Sequence, residues 1–565
     1  MAIREFSPDG TTRSKIAFIG DLPQAEYLDR FTDRSFKIAF DGDYPQECLD
    51  WFKKRNFQYE RCTLEQLRGA EYPKQLDAVI WTQDPKKLNS LPQELRIIAA
   101  NLLNHDVRVY IRLATARALV VNTLIDGAIP VANLLPEEWR AIPENRQERE
   151  NSFSMPCVYI CESAWSWPEI AALVCDRPAG PPPKSNLKFD EEFLRDKFDP
   201  EGHPERVMLL QRAFWNCSEL RLIALPSGMS GAPVFKAYGS LEAALVPQGE
   251  TGGYPHLYFV KIGPRKKITD EYDKYISHIS EYVPFYLRPR LRLDRCNLGS
   301  TQGILVGDFV EGTESLITCA RGARCGHAIS NLFDKTLGGW RKQRFPNTSR
   351  SLGDYLEEKW RTEASDTLIA LPDKRAEIVR NLGGTTDIAQ FKELFEKHGD
   401  TAPLVAPAHG DMHATNVLVR HGDAILIDFE KLEQHYPLTY DPASLEGGLL
   451  VEGFIEDFEK DRFTVDELVK LIQPLYEQSA LKGSQTTHCR RGEPAEWYYD
   501  AVNQIRTLSL VTENEPGQYA LTLALCLIRK GCNIHGNLQA DAPTKSRAIA
   551  FFFAQKILRE IAGKP

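Results

Sequence analysis

The sequence lacks any run of about 18 consecutive apolar residues, the length that a membrane-spanning helix requires. Its first ten residues, MAIREFSPDG, carry charged side chains and no apolar core, so we expect no signal peptide. The 12 cysteines are spread along the chain without a disulfide framework, and Cys157 and Cys161 are too far apart for a CxxC redox pair. These absences predict a cytoplasmic protein that does not enter a membrane.

The chain also lacks the positive charge of a nucleic-acid-coating protein, because its formal net charge is −9. Local basic patches remain compatible with that balance. No internal repeat is visible, and no GxGxxG pattern follows the first predicted strand, so dinucleotide binding has no support. Cys319, Cys325 and His327 could supply three zinc ligands, but no fourth lies nearby, and free thiols are favoured. A length of 565 residues predicts several domains.

The first 175 residues alternate short β-branched runs with amphipathic segments such as PQECLDWFKKRN and PQELRIIAANLLNH. The predicted strands are KIAFIG (15–20), FKIAFDG (36–42), DAVIWT (77–82), VRVYIRL (107–113) and CVYICE (157–162). This alternation predicts a parallel sheet with helices on both faces. Residues 1–175 therefore resemble a receiver or flavodoxin-like α/β domain.

The chemistry of a phosphorelay receiver is incomplete in this segment. Trp81 and Thr82 end the third predicted strand, where a phosphoacceptor Asp is expected, and Asp84 comes only later. The carboxylates after the other strands, Asp21, Asp41 and Asp43, are of a kind common in loops. We predict a degenerate sensing or docking domain that receives a protein partner, with a phosphorelay receiver as the alternative.

The stretch DRPAGPPPKSN (176–186) contains consecutive prolines, which favour an extended spacer. We place a linker at 176–200. The remainder is long enough for a small β-rich lobe at 201–310 and a larger helical lobe at 311–565.

The block AHGDMHATNVLVRHGDAILIDFEKL (408–432) concentrates polar residues around two apolar runs. Asp411 precedes His413 by two residues and Asn416 by five; the strand NVLVR, the turn HGD and the strand AILID then lead to Asp428. A hairpin would bring Asn416 and Asp428 to the same end. A polar turn without activity explains each residue singly, but it explains their joint spacing poorly.

These residue types suit phosphoryl transfer, which needs positioning and charge neutralisation more than covalent chemistry. Asp411 would orient or accept the proton of an attacking hydroxyl. Asn416 and Asp428 offer the hard oxygen ligands that Mg²⁺ prefers. His413 is the second candidate catalytic residue, and it is expected to brace the loop by hydrogen bonding rather than to act as a base.

The block HGDMHATNVLV followed by ILIDFE resembles the aminoglycoside phosphotransferase and choline kinase families, which share the protein-kinase-like fold. Their catalytic Asp and metal-binding Asn are matched by Asp411 and Asn416, and their second metal-binding Asp is matched by Asp428. The resemblance implies an α+β two-lobed kinase that uses ATP and Mg²⁺. The whole arrangement also resembles the ternary-complex-associated domains of bacterial signalling and defence systems.

The resemblance implies a glycine-bearing loop and a strand lysine upstream. The loop LPSGMSGAPVFKAY offers small residues that allow close approach to phosphates, namely Ser227, Gly228, Ser230 and Gly231. Lys261 lies in the apolar run LYFVKI, where an unpaired ammonium is costly to bury, so a partner is expected. Glu271 is the first choice for that ion pair and Glu281 the second.

Further positions follow from order along the chain. GILVGDFVEGTESL (303–316) resembles the hinge between the lobes, with backbone groups of Asp308, Phe309 and Val310 facing adenine. Asp441 is expected to brace the core through a helix N-cap. A basic stretch favours an anionic acceptor, or else forms a solvated helix face: Arg321, Arg324, Lys335, Arg341, Lys342 and Arg344.

No APE-like activation segment follows LIDFEK, which favours a small-molecule kinase over a protein kinase. The sequence thus predicts transfer of the γ-phosphoryl group to the hydroxyl of an anionic small molecule or macromolecule, regulated by the receiver-like domain. The alternative is a catalytically silent kinase-like scaffold that acts through partners.

Overall fold

The computed structural model describes most of the chain. The described residues are 13, 15–20, 22–32, 37–41, 43–82, 92–112, 135–141, 158–161, 165–176, 183–189, 198, 203–225, 233–242, 255–360, 370–483, 486–533 and 540–563. Residues 1–273 and 291–309 form one compact unit, and residues 274–290 and 310–565 form a second. Among the helices in these ranges, none combines the length and the apolar character needed to cross a bilayer. Most of the predicted linker lies outside the described residues.

The first unit begins with a seven-stranded sheet whose paired strands are all parallel. Its strands are β1 (Lys15–Ile19), β2 (Lys37–Asp41), β3 (Tyr59–Arg61), β4 (Leu76–Trp81), β5 (Arg108–Arg112), β6 (Arg140–Ala141) and β7 (Val158–Cys161), in the order β3-β2-β1-β4-β5-β7-β6. The five predicted strands are present as β1, β2, β4, β5 and β7, so the predicted parallel sheet is confirmed. Strands β3 and β6 were missed because they are only 3 and 2 residues long.

Helices cover both faces of this sheet, as predicted. They are α1 (Ala25–Thr32), α2 (Gln46–Lys54), α3 (Leu64–Arg68), α4 (Pro92–Asn104) and α5 (Trp167–Asp176). Successive strand residues point to opposite faces. Ile16 and Phe18 therefore pack with residues of α1, α2 and α5, whereas Ala17 and Ile19 pack with residues of α3 and α4. The inner strands β1, β4 and β5 are buried on both sides, which explains their largely apolar sequences, whereas the edge strand β3 is polar and mostly exposed.

The order of the five predicted strands, β2-β1-β4-β5-β7, is the doubly wound order of flavodoxin-like domains. The edge strand β3 extends it to the longer order found in dinucleotide-binding domains. At the end of β4, Trp81 is buried and Thr82 donates its backbone N–H to the Ile19 carbonyl at 2.8 Å. Asp21 and Asp84 lie outside the described residues. The receiver resemblance itself stays a prediction.

The remainder of the first unit is built on a five-stranded antiparallel sheet. Its strands are β8 (Cys217–Ala224), β9 (Val234–Leu241), β10 (His256–Pro264), β11 (Asn297–Leu298) and β12 (Gln302–Asp308), in the order β11-β12-β10-β9-β8. Helix α6 (Pro204–Ala213) packs on it, and helix α7 (Arg265–Lys274) follows β10 directly. Alternating residues of β9, such as Phe235 and Ala237, enter a core that is separate from those of the parallel sheet.

The second unit is mainly helical. Its helices are α8 (Ser280–Tyr282), α9 (Leu316–Arg321), α10 (Cys325–Asn331), α11 (Gly338–Arg341), α12 (Leu352–Glu358), α13 (Asp373–Asn381), α14 (Ile388–His398), α15 (Tyr440–Gly453), α16 (Ile455–Glu459), α17 (Val465–Ile472), α18 (Gln478–Leu481), α19 (Glu496–Ser509), α20 (Gln518–Cys532) and α21 (Asp541–Ile561). Two three-stranded sheets accompany them, with β13 (Glu314–Ser315), β16 (Val417–Arg420) and β17 (Asp423–Leu426) in one, and β14 (Phe345–Pro346), β15 (Leu404–Ala408) and β18 (Glu433–Pro437) in the other. Helix α15 is buried all round, which marks it as the core of this unit.

A buried histidine makes the stability of the first unit dependent on pH. His105, directly after α4, is 2% exposed, and burial lowers its pKa from 6.5 to about 4. The unfolded chain therefore binds a proton more readily than the folded chain between these values, so stability falls as pH drops below 6.5. We expect a loss of about 2 kcal/mol between about pH 7 and about pH 5. Urea unfolding at the two pH values should show a smaller loss in His105→Gln, and an identical loss would contradict the assignment.

Candidate active site

The predicted hairpin is present and its register is fixed. Strands β16 and β17 are antiparallel with Val417 opposite Leu426, and the turn between them has positive φ at His421 (53°) and Gly422 (85°). Two positive φ values are typical of the tight turns that join twisted strands. The Ile427 N–H donates to the Asn416 carbonyl at 3.1 Å, which continues the ladder by one residue. Asn416 and Asp428 therefore lie at the same end of the hairpin, as predicted.

Asp428 adopts a left-handed backbone conformation, with φ of 64°. Such a conformation is uncommon outside glycine and persists where the surroundings impose it, often at functional sites. Both following residues are held in place. The ring of Phe429 packs against Tyr275 with centroids 6.4 Å apart, and Lys274 Nζ donates to the Glu430 carbonyl at 2.6 Å. The position of the Asp428 carboxylate is therefore set by its neighbours.

Asn416 connects the hairpin to the loop that carries Asp411. Its amide Nδ2 donates to the Asp411 carbonyl at 3.1 Å, and its backbone N–H donates to the His413 carbonyl at 2.9 Å. This bond turns the carboxamide oxygen of Asn416 away from the Asp411 carbonyl. The Asp411 carboxylate is half-buried and accepts no hydrogen bond from the described residues. The amide oxygen of Asn416 and the carboxylate of Asp428 are oxygen ligands of the kind that Mg²⁺ prefers. The available carboxylate of Asp411 suits a hydroxyl acceptor.

The Asp441 carboxylate holds the start of the Asp411 loop in place. It accepts the backbone N–H groups of His409 at 2.7 Å and Gly410 at 3.0 Å. Burial raises the Asp441 pKa, while His409 and these two donors favour its charged form. A brace was predicted, but the predicted N-cap was wrong, because Thr439 occupies the N-cap position of α15 and Asp441 lies inside its first turn.

The HG dipeptide before Asp411 also has a structural role that the sequence analysis missed. Gly410 has a φ of 77°, and a Cβ there would lie 2.0 Å from the Lys431 carbonyl oxygen. The His409 ring is fully buried, with Nε2 3.0 Å from the Ile427 carbonyl. Both residues therefore tie the loop to the segment around Asp428, and the motif HGD was the signal that could have revealed them.

The His413 side chain makes contacts of the kind expected for a residue that braces its loop. His413 is 6% exposed, and its Nδ1 lies 2.7 Å from Thr415 Oγ1 and 3.3 Å from Glu452 Oε1. Helix α15 approaches closely at Gly448, where a Cβ would meet the His413 Cβ at 3.0 Å. The imidazole is thus held between its own turn and α15.

In the first unit, Lys261 and Glu271 form the predicted ion pair. Lys261 Nζ and Glu271 Oε2 are 2.7 Å apart, and their side chains are 8% and 10% exposed. Lys261 lies at the centre of β10, opposite Val234 on β9 and Leu305 on β12, and Glu271 lies on α7. The second choice, Glu281, is exposed. Ser227, Gly228, Ser230 and Gly231 lie outside the described residues.

The predicted hinge is only partly available for a base. The Phe309 N–H donates to the Leu257 carbonyl at 3.2 Å, so this N–H is not directed at a base. That other backbone groups of Asp308, Phe309 and Val310 face adenine stays a prediction. The Asp308 side chain accepts from Arg292 Nε at 2.7 Å, and the Val310 carbonyl accepts from a threonine hydroxyl at 3.1 Å. The chain passes from the first unit to the second between Phe309 and Val310.

The predicted basic stretch does not form one free cationic surface. Arg321 pairs with Asp457 at 2.7 Å, Arg324 pairs with Glu314 at 2.9 Å, and the half-buried Arg341 donates to a backbone carbonyl at 2.8 Å. These three arginines are committed to internal contacts. Lys335, Lys342 and Arg344 are exposed.

Two other cations, Arg529 and Lys530, lie on α20, which packs against α15. Arg529 donates to the Tyr440 hydroxyl at 2.5 Å and forms no ion pair with a described residue; the Tyr440 hydroxyl, and more weakly the Asp411 charge, raise its pKa. Lys530 runs along α15, since a Cβ on Gly447 would meet its Cδ at 3.3 Å. The Lys530 ammonium also has no ion-pair partner among the residues described. The sequence analysis missed both because they lie far from the motif along the chain.

Cys319 and Cys325 are buried and unlinked. Within the described ranges, no three His, Cys, Asp or Glu side chains cluster as metal ligands. A zinc site at these cysteines has no support.

The family comparison agrees with one predicted resemblance. Residues 361–529 match the family model of ternary complex associated domain 9. The ternary complex associated domain match covers less than half of the chain and includes the Asp411 loop, the hairpin, α15 and α19. No curated protein matched the sequence.

Comparison with solved structures matched several phosphotransferases. A thermostable mutant of aminoglycoside phosphotransferase APH(4)-Ia is 14% identical with a TM-score of 0.33, covering 66% of this chain and 100% of that chain. Glucosamine kinase is 13% identical with a TM-score of 0.32, covering 55% and 88%. Amicoumacin kinase hAmiN, solved with AMP-PNP and Ca²⁺, is 14% identical with a TM-score of 0.32, covering 66% and 98%.

Proposed function

We propose that the chain is an ATP- and Mg²⁺-dependent phosphotransferase that moves the γ-phosphoryl group of ATP to a hydroxyl. The observation that carries the proposal is the register of the β16–β17 hairpin, which brings Asn416 and the strained Asp428 to one end. The Asp411 loop is anchored at the same end by the Asn416 amide.

Each residue then has a chemical role. Asp411 orients the acceptor hydroxyl and takes its proton as the oxygen attacks phosphorus. Asn416 and Asp428 would hold the magnesium ion, which supplies neutralisation of the phosphate charge when bound. Lys261, kept in place by Glu271, binds phosphate oxygens. The loop containing Ser227, Gly228, Ser230 and Gly231 is proposed to cover the phosphates.

The acceptor is proposed to carry negative charge. Arg529, whose pKa the Asp411 charge helps to raise, and its neighbour Lys530 on α20 have no ion-pair partners among the described residues, although a half-buried cation is more stable with one. A phosphate or carboxylate on the acceptor would supply the missing charge. The anionic acceptor is therefore proposed to meet Arg529 and Lys530, and not the basic stretch Arg321–Arg344. The N-terminal α/β domain is proposed to sense a partner and regulate transfer.

A nucleotide-binding measurement on Asp428→Asn tests the proposal. In the wild type, ATP with Mg²⁺ at about 100 times its Kd should stabilise the fold by about 2.7 kcal/mol, seen as a higher Tm. Asparagine tolerates the left-handed conformation as well as aspartate does. The variant should therefore keep the ligand-free Tm and lose the part of the shift that EDTA abolishes in the wild type.

Two results would count against a phosphotransferase. A wild-type Tm that ignores ATP and Mg²⁺ would favour the silent scaffold. An unchanged Mg²⁺-dependent shift in Asp428→Asn would remove Asp428 from the metal site.

A further inference from the structure

The N-terminal α/β domain contacts the rest of the first unit through hydrogen bonds and a buried ion pair. Asp106 Oδ1 lies 3.2 Å from Arg212 Nη2, and both side chains are almost fully buried. Arg212 Nη1 also donates to the Asn104 carbonyl at 3.2 Å. The hydrophobic cores of the two parts are separate. Polar contacts without a shared hydrophobic core are typical of interfaces between domains that move relative to each other.

The centre of the junction is the loop Gly299–Gln302 at the start of β12. Asn104 Oδ1, at the end of α4, accepts the Ser300 N–H at 2.7 Å. Trp139 Nε1 donates to the Ser300 carbonyl at 2.5 Å. The N-terminal domain therefore satisfies both backbone groups of Ser300, a residue that is only 3% exposed.

The same loop is held from the other side by Glu205, on α6. Its carboxylate accepts the backbone N–H groups of Thr301 at 2.8 Å and Gln302 at 2.6 Å, and the hydroxyls of Ser300 and Thr301 at 3.0 and 2.9 Å. A Cβ on Gly299 would lie 2.4 Å from Glu205 Oε1 and 3.0 Å from Asn104 Oδ1. The loop is therefore tightly enclosed, and a shift at Ser300 displaces its neighbours.

The loop in turn positions α7, the helix that carries Glu271. The Arg265 N–H donates to the Thr301 carbonyl at 2.7 Å, and the buried Arg265 guanidinium donates to the Gly299 carbonyl. One turn later, Ile268 lies against Gly303, where a Cβ would meet Ile268 Cγ2 at 2.7 Å. Arg265, Ile268 and Glu271 are three residues apart and share one face of the helix. The loop therefore sets the helix that holds Glu271 against Lys261.

We propose that the docked N-terminal domain is a positioning element of the candidate active site, acting through the loop Gly299–Gln302 on α7 and the Lys261–Glu271 pair. This inference rests on the proposed function for its effect on nucleotide binding. Release of the domain leaves Ser300 without two hydrogen-bond partners and loosens the N-terminal turn of α7. A partner that competes for Asn104 and Trp139 therefore weakens ATP binding without touching the nucleotide.

The test uses the full chain with the double variant Asn104→Ala/Trp139→Phe, which removes the two contacts to Ser300. The matched control is Asn101→Ala, one turn earlier on α4, whose amide donates to carbonyls of Leu67 and Gly69 inside the N-terminal domain. Hydrogen exchange is measured without nucleotide over 297–303 and 265–274. The double variant should exchange faster in both segments, and the control in neither.

Affinity for ATP with Mg²⁺ gives a second readout. The double variant should bind about tenfold more weakly, within the range of coupling between distinct sites. Faster exchange at 297–303 with unchanged exchange at 265–274 overturns the proposal, as does unchanged exchange in both segments. A wild type that binds no nucleotide refutes the proposed function. The positioning role is still decided by hydrogen exchange, because exchange is measured without ATP. Trp139→Phe alone, the milder change, gives the same comparison if the double variant fails to fold.

Discussion

Replacement of Asp411 by Asn will reduce transfer of label from γ-labelled ATP to its acceptor by at least about 100-fold, the lower range for loss of a general base. The amide cannot take the hydroxyl proton, although it has almost the same size. Stability should not change, because the Asp411 carboxylate accepts no hydrogen bond from the described residues and is half-buried. The measurement incubates each protein with extract of the cells that produce it and counts label in small molecules and macromolecules separately.

The matched control is Asp423→Asn. Asp423 lies at the opposite end of the same hairpin, where it is opposite Arg420 in the β-ladder. It should transfer label at the wild-type rate. Fractionation of the extract by anion exchange before the reaction tests the acceptor class, because only the retained fraction should be labelled. Label in the unretained fraction would refute the anionic acceptor and leave the phosphotransferase intact. Label that survives Asp411→Asn would remove Asp411 from catalysis.

The parts of the site that could be predicted are local in sequence. The hairpin followed from two apolar runs around HGD, and its register brings Asn416 and Asp428 together over a separation of twelve residues. The need for a partner of Lys261 followed from the cost of burying an ammonium, and the choice of Glu271 followed from the ion pair that the kinase resemblance implies. In both cases the physical constraint acts within one supersecondary unit.

The parts that could not be predicted depend on contacts between distant segments. Arg212 reaches Asp106 across more than one hundred residues, and neither residue lies in a recognisable motif. The Phe309 N–H bonds to Leu257 because hydrogen bonding between β10 and β12 continues one residue past Asp308. The sequence does not show at which residue such a strand ends. Arg529 approaches Asp411 only because α20 packs on α15.

Of the substitutions proposed for this protein, Arg506→Met should cause the largest loss in the free energy of unfolding. Arg506 Nη2 lies 2.6 Å from Glu446 Oε1, its Nε donates to Oε2 at 3.0 Å, and its Nη1 donates to the Leu475 carbonyl at 2.5 Å. Glu446 is fully buried, and its remaining partner is the Tyr519 hydroxyl at 2.7 Å. Removal of the cation leaves a buried carboxylate uncompensated, which costs about 3–5 kcal/mol. Urea unfolding of the second unit, followed by circular dichroism, measures the loss.

Two comparisons separate the buried charge from lost packing. Glu446→Leu/Arg506→Met removes both charges and should recover much of the loss, because replacement of a whole buried pair by apolar residues is often neutral. Lys460→Met breaks the exposed pair with Glu456 and should leave the urea midpoint unchanged, because water and salt screen an exposed pair. A double variant as unstable as Arg506→Met would mean that packing, and not charge, dominates.

The position of this pair also links stability to the site. Helix α15 carries Glu446 in its interior, Asp441 in its first turn and Gly448 against His413. A buried carboxylate left without its cation at Glu446 will draw in water, and this change displaces the helix that braces the Asp411 loop. Arg506→Met should therefore lower label transfer at temperatures well below its own Tm, whereas Glu446→Leu/Arg506→Met should restore transfer together with stability.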